Sequence, residues 1–395
     1  MYALLERLKP ILRPNAGHIT VLAAVALVLI GIESIDTVRS TDTARSGLVL
    51  RQCIFLVAGM GMMVMVALPH HRLLVHGAYP LAIVSILTLA VLLLPFLPQS
   101  IIPVRNGARR WIDFQVVQVQ PSELAKIAFV LALAAYLRYR QNYRTFLGLF
   151  VPFAITFVPM GLILVEPDLG TSLIFLPVLF AMLVAAGARL KHLILIVVLG
   201  VVATPLMYPL LQPHQKQRIM SQIAQIQGDT SDRDSAGFQA YKAMTTTGAG
   251  QFTGYGKERA RLILRENALP EAHNDMIFAV IAARWGLAGG LGVLGLYFLL
   301  IGSALVVAAR HKDPFARLIV VGVATIFVTQ VFVNVGMTLG MLPITGMTLP
   351  LISYGGSSLV ASMVMVGLVL SAAARRPAVM MAGPAFEYDT ADAGR

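Results

Sequence analysis

In "LPEAHNDMIFAVIAARWG" (residues 269–286), His273 and Asp275 lead directly into an apolar run. A charge seated against hydrocarbon is expensive, so an ionisable residue there is a functional candidate by default. Asp275 has a structural reading, an acid near the positive end of a helix dipole with His273 beside it. Its chemical reading is a general base, whose basicity an apolar wall raises and neighbouring cations tune. Three further clusters pose the same choice, the first made of two adjacent stretches. In "NGARRWIDF", Arg109, Arg110 and Trp111 suit the headgroup level of a membrane. In the following "QPSELAKIAF", Glu123 and Lys126 lie three apart at a helix start opened by Pro121 and Ser122, so they share a face and can pair. An ion pair sunk in a membrane helix also marks a polar cavity. In "EPDLGTS", Asp168 is either a helix N-cap or a second carboxylate in that cavity. In "PITGMTLPLISYGGSS", Pro343, Pro350, Gly355 and Gly356 interrupt helical regularity and permit close helix packing. The same features let backbone amides and the Ser353, Ser357 and Ser358 hydroxyls approach a phosphate. No P-loop, dinucleotide fingerprint, zinc motif or Ser-His-Asp order accompanies them.

The elements that must position these groups are membrane helices. Of 395 residues, 57% are hydrophobic and 13% charged, with a mean hydropathy of +0.77, outside the range of soluble domains. Apolar runs of roughly 18–25 residues match the hydrocarbon thickness, and their lack of strict alternation chooses helices over barrel strands. The expected fold is all-α, a polytopic membrane protein of about ten spans: residues 19–35, 48–68, 79–97, 121–137, 147–165, 169–187, 193–211, 275–309, 318–342 and 350–373. The span at 275–309 is too long for one perpendicular crossing, which predicts tilt, a kink near Gly286, Gly289 and Gly290, or an extension beyond the membrane. Leu4, Leu5, Leu8, Ile11 and Leu12 predict an N-terminal helix lying on the inner membrane surface. The transmembrane domain is expected over residues 1–376, with a disordered cytoplasmic tail at 377–395. Cys53 is the only cysteine, so neither a disulfide framework nor a thiolate metal site can form. The net charge of +12 has no soluble basic module to present it to nucleic acid.

Topology explains that charge. With the N-terminus inside, Arg138, Arg140, Arg144, Arg189, Lys191, Arg310, Lys312, Arg317, Arg375 and Arg376 are cytoplasmic, and both termini share that side. The four chemical stretches then all face outward, together with a long extracytoplasmic loop at 212–273 between spans seven and eight. Loops of that length are usually functional. Acids, bases and Gly-rich backbone gathered on one face suit an amphiphilic substrate with an anionic head and a lipid tail.

The ordered set "NGARRWIDF", "QPSELAK", "EPDLGTS", "LPEAHNDMIFAVI" and "LPLISYGGSS", across most of the chain, closely resembles the SEDS family, the RodA and FtsW peptidoglycan polymerases. The phrase "LPEAHNDMIF" and the short N-terminus lean toward RodA. The resemblance implies polymerisation of lipid II into glycan strands outside a bacterial cytoplasmic membrane, with a class B penicillin-binding transpeptidase as partner. It implies that Asp275 is the essential acid of a His-Thr-Asp motif, here with Asn274 for Thr. Arg109, Trp111, Glu123, Lys126 and Asp168 match further sensitive positions. On this reading Asp275 takes the proton of the attacking sugar hydroxyl. Arg109, Lys126 and Arg218 stabilise pyrophosphate charge, with a divalent cation held by the leaving group near Asp168 or Glu123. Where relatives carry two glutamates, this chain has "AARWGL", with Arg284 about 13 Å along a straight helix from Asp275. Two rival expectations are a lipid II transporter, which would need access from both faces, and a non-catalytic scaffold for the transpeptidase.

Overall fold

Among the described residues the long apolar runs form helices, because in hydrocarbon each backbone N–H and C=O must be paired within its own segment. The computed structural model describes residues 14–38, 47–70, 72–94, 97–104, 109–114, 118–140, 142–207, 209, 216, 220, 238–267 and 269–375. Arg218, the N-terminal surface helix and the tail from Arg376 onward lie outside the described residues. Ten helices overlap the ten expected stretches, with ends shifted by up to six residues: α1 (Ala16–Val38), α2 (Leu48–Ala67), α3 (Leu73–Leu92), α4 (Pro121–Leu137), α5 (Phe150–Val165), α6 (Leu169–Ala186), α7 (Leu190–Met207), α10 (Ile277–Arg310), α11 (Pro314–Thr338) and α12 (Gly356–Ala374). Eight of these, α5 counted with the turn Leu147–Leu149 that leads into it, are long and apolar enough to cross a membrane. Of the other two, α4 has 17 residues and carries Glu123 and Lys126, and α7 is apolar over its stretch Leu190–Ala203. The described part of the expected long loop contains two helices, α8 (Phe238–Ala249) and α9 (Gly256–Glu266). The only strands among the described residues are the antiparallel pair β1 (Ile112–Asp113) and β2 (Gln118–Val119).

Helix ends follow local chemistry. Asp313 caps α11, its Oδ1 accepting from the Phe315 N–H at 2.9 Å, and Pro314 occupies the first turn, where a missing donor does no harm. α6 ends at Gly187, whose φ of 92° suits the left-handed C-cap. Within the spans, the Ser34, Thr156 and Thr325 hydroxyls return to the carbonyl four residues back, so they need no partner in lipid.

α4 lies at the centre, buried at every position except Leu124, and packs against α3, α5, α6, α11 and α12. α12 packs along α2 and α1, and α10 along α1 and α11. The α2–α12 approach is close because Gly367 brings its Cα against the Met63 backbone, where any Cβ would collide. α2, α3 and α7 turn Leu50, Ile54, Val57, Ile83, Val84, Leu87, Val197 and Val198 outward, as helices facing hydrocarbon do. The overlong α10 breaks at Gly286, with φ 67° and ψ −163°. The Leu287 and Ala288 amides released by the break donate to the Gln251 and Phe252 carbonyls at 2.8 and 3.1 Å, in the turn between α8 and α9. The outer loop thus completes the backbone pairing of a membrane helix.

Candidate active site

The four chemical stretches meet at one end of the bundle, where α4, α6, α10 and α12 begin, and hydrogen bonds link them. Asp168 caps α6, with Oδ1 accepting from the Thr171 N–H at 3.1 Å and Oδ2 from the Thr171 hydroxyl at 2.9 Å. Oδ2 also accepts from Gln120 Nε2 at 3.5 Å, and the Gln120 amide donates to Ser357 Oγ at 3.1 Å. This ties the α5–α6 turn through the start of α4 to the start of α12. Ser353 Oγ donates to the Asn274 carbonyl at 2.6 Å, and the Tyr354 amide to the His273 carbonyl at 2.9 Å. These bonds join the segment before α12 to the turn that carries Asp275.

Asp275 itself is 7% exposed, and its Oδ1 accepts no hydrogen bond from the described residues. Burial pushes its carboxyl up to about 7, with the Glu271 charge adding to the rise and backbone hydrogen bonds at Asp275 and Met276 opposing it. A carboxyl raised toward neutrality is suited to act as a general base. The His273 ring lies 5.8 Å from the Tyr354 ring. Asn274, in place of the resemblance's threonine, donates to Glu271 Oε2 at 2.6 Å.

Glu123 and Lys126 form the expected i, i+3 ion pair, 2.9 Å between Nζ and Oε1, with both side chains buried. Glu123 Oε2 and Ser122 Oγ are buried without a hydrogen-bond partner among the described residues. Glu166 is an acid that sequence reasoning missed, although it stands two residues from Asp168. Its carboxyl is pushed up to about 8 by burial first and the Asp168 charge second, with Arg110 opposing. Arg110, not Arg109, holds this turn: its Nε donates to the Glu166 carbonyl at 3.0 Å and its Nη2 to that of Pro167. Arg109 donates to the Leu94 carbonyl at 2.9 Å, at the end of α3, and Trp111 is half-buried.

The hydroxyls expected to meet a phosphate are otherwise engaged. Ser353 Oγ also accepts from the Leu349 amide at 2.8 Å, and Ser357 Oγ donates to the Gln118 carbonyl at 2.8 Å. Gly356 packs against the Phe55 ring, and the Gly355 amide donates to Gln52 Oε1 at 3.4 Å. Ser353, Gly355 and Ser357 thus bond within the protein and tie this loop to its neighbours. Two cavities of about 340 Å³ are apolar: one lies between α10 and α11 beside Tyr297 and Phe332, the other among α3, α4 and α5 beside Phe129 and Ile155. The acids lie outside both linings.

Among the described residues no group of three or more His, Cys, Asp or Glu side chains comes together as a metal cage. Both Asp168 oxygens already accept hydrogen bonds. Asn334 and Gln330, buried one turn apart in α11, were also missed; polar residues four apart in an apolar span are the signal that marks them.

Known proteins resemble this chain in sequence and in fold. The FtsW/RodA/SpoVE model, described as a cell cycle protein family, matches residues 16–377. A probable peptidoglycan glycosyltransferase FtsW of Pseudomonas fluorescens is 32% identical over 88% of this chain and 85% of its own. The corresponding protein of Trichlorobacter lovleyi is 32% identical over 93% and 95%. Among solved structures, one of a peptidoglycan synthase complex that coordinates polymerization and crosslinking superposes with a TM-score of 0.75, at 31% identity over 89% of this chain and 95% of that one. The rod shape determining protein RodA of Thermus thermophilus superposes with a TM-score of 0.64, at 30% identity over 89% and 94%.

Proposed function

This chain belongs to the FtsW/RodA/SpoVE family, also called SEDS, and on that premise we propose that it is a peptidoglycan glycosyltransferase that extends glycan strands from lipid II. The observation that carries the mechanism is Asp275: a buried carboxylate with an unpartnered oxygen and a raised pKa, at the end of the bundle where the polar stretches meet. In this scheme the 4-hydroxyl of an acceptor GlcNAc attacks C1 of the donor MurNAc. The O4–C1 bond forms with inversion to a β-1,4 link, the bond from C1 to the pyrophosphate oxygen breaks, and its electron pair leaves with undecaprenyl pyrophosphate. Asp275 accepts the hydroxyl proton, directly or through one water. Arg110, held against the α5–α6 turn, and the buried Lys126 supply positive charge on the same face. A divalent ion enters only as a companion of the pyrophosphate, and no step depends on it.

We place both termini in the cytoplasm and the site outside a bacterial cytoplasmic membrane, supported by the basic residues at the opposite end of the bundle. A class B penicillin-binding transpeptidase is the proposed partner, supported by the likeness to the synthase complex. The segregation of polar groups to one end favours polymerisation over flipping, which needs sites reachable from both faces. The test is direct: purified parent and Asp275→Asn protein are incubated with lipid II in detergent. Glycan polymer from the parent and none from a folded Asp275→Asn variant is the expected result. Near-normal polymer from the variant overturns the assignment of the base.

A further inference from the structure

The turn that carries Asp275 is held by three successive carbonyls. His273 O accepts from the Tyr354 amide at 2.9 Å, Asn274 O from Ser353 Oγ at 2.6 Å and Asp275 O from Asn334 Nδ2 at 2.8 Å. The first two donors sit in the irregular segment before α12. The third belongs to a membrane helix. Asn334 is fully buried in α11, and its Nδ2 makes a second bond, to the Met347 carbonyl at 2.7 Å. Both amide protons are therefore committed to non-helical backbone, one on each of the two segments that frame the site. The helix runs unbroken from Pro314 to Thr338, and the Asn334 carbonyl accepts from Thr338 Oγ1 at 2.8 Å.

From this bridge we propose that Asn334 is a positioning residue: through its two amide protons it fixes the Asp275 backbone and the Met347 loop to α11, and so sets where the carboxylate stands and how little water reaches it. The inference rests on the reading of Asp275 as the base. A side chain on a rigid helix is suited to this work, because sub-ångström placement of a reacting group decides rate while contributing little to binding. An asparagine that merely satisfied a buried core would need no bond to the residue bearing the base, 59 positions away in sequence. The charge that bears on the Asp275 carboxyl is Glu271, on the same turn as His273; the elements packed around α10 and α11 also carry Glu33 and Asp36 on α1, Glu123 and Lys126 on α4, Lys242 on α8 and Arg284 on α10, and Tyr354 stands in the facing segment. α11 from Gln330 to Thr338 brings none. Replacing Asn334 therefore adds or removes no charge.

Asn334→Leu keeps the branched shape and removes both donors. In the full chain with lipid II, it is expected to lower kcat at least about tenfold with KM within about threefold. The pH midpoint for carbodiimide labelling of Asp275, read by mass spectrometry, is expected to fall toward ordinary carboxylate values as the freed turn admits water. Unchanged kcat and an unchanged labelling midpoint, whatever the melting temperature, overturn the proposal. Asn334→Ser, too short to bridge but tolerated in a helix, takes the same test if the leucine variant does not fold. The labelling arm needs no turnover. A shifted midpoint together with an active Asp275→Asn enzyme keeps the positioning role and rejects the base, and an unmoved midpoint with an inactive Asp275→Asn enzyme does the reverse.

Discussion

Arg284 Nη2 lies 2.7 Å from Glu33 Oε2, joining the first part of α10 to the far end of α1. Its Nη1 adds bonds to the Glu33 carbonyl at 2.5 Å and to Thr37 Oγ1 at 2.7 Å, and its guanidinium stacks 4.2 Å over the Trp285 ring. Arg284 is therefore paired with α1. Next to it, Lys257 pairs with Asp36, and Arg261 donates to the Asp36 carbonyl at 3.2 Å. The acidic end of α1 thus anchors α9 as well as α10.

Arg284→Glu is expected to lower the melting temperature in detergent, and Glu33→Arg to do so less, because Glu33 is the more exposed partner. The pair contributes on the order of 1 kcal/mol after solvent screening. The double reversal should recover part of the loss of the two singles, read as a double-mutant cycle. Strict additivity of the two single losses would mean that the side chains do not interact. Arg284→Lys should fall between, since an ammonium keeps the charge but not the forked bonds or the ring stacking.

The raised pKa values at Asp275 and Glu166 give opposite trends for activity and stability. As a base, Asp275 must be ionised, so turnover should rise with pH through about 7 and then level off. For stability the sign reverses. Between the ordinary carboxylate range and about 7 for Asp275, or about 8 for Glu166, the folded protein keeps a proton that the unfolded chain has released. Stability should therefore fall as pH rises across that window, and Asp275→Asn and Glu166→Gln should each flatten the decline. Melting curves taken every half unit check this; parallel curves for parent and both variants would contradict it.

Much of this architecture is legible in the sequence because it rests on local rules. Hydrocarbon thickness marks the spans, i, i+3 spacing pairs Glu123 with Lys126, and a span of excess length places a break at Gly286. The misses arise where local patterns permit two outcomes. Asp168 is both cap and site neighbour, which its sequence context cannot divide. Ser353 and Ser357 have the composition of a phosphate cradle, yet their partners are carbonyls and amides of distant segments. The choice between Arg109 and Arg110 depends on how the segment turns over α5–α6. Asn334 escapes notice because its partners at Asp275 and Met347 come from irregular backbone that no periodicity describes.

The Glu123–Lys126 pair predicts strong non-additivity. With both side chains buried, Lys126→Met leaves a carboxylate with no counter-ion, and Glu123→Gln leaves an ammonium. Removing one partner of a buried pair typically destabilises by about 3–5 kcal/mol, whereas replacing both with neutral side chains is often near neutral. The Glu123→Gln, Lys126→Met double variant should therefore be more stable than either single, as measured by thermal unfolding. A double variant less stable than both singles would show that these residues do not act as a pair.

Gly286 carries the last prediction. Its φ of 67° is a conformation that L side chains rarely adopt, and a Cβ there would collide with the Phe252 carbonyl and the Gly254 amide. Gly286→Ala must therefore shift the α8–α9 turn or straighten α10, at a cost of about 1–3 kcal/mol. Either response breaks the bonds from the Leu287 and Ala288 amides to Gln251 and Phe252. Straightening has a further consequence, because the turn with Asp275 lies just before the N-terminal half of α10, and it would swing away from Asn334. Hydrogen exchange at 287–288 should accelerate at least about tenfold in Gly286→Ala, and lipid II polymerisation should fall with it. Accelerated exchange with full activity would show that the outer layer stabilises the break without governing the position of Asp275.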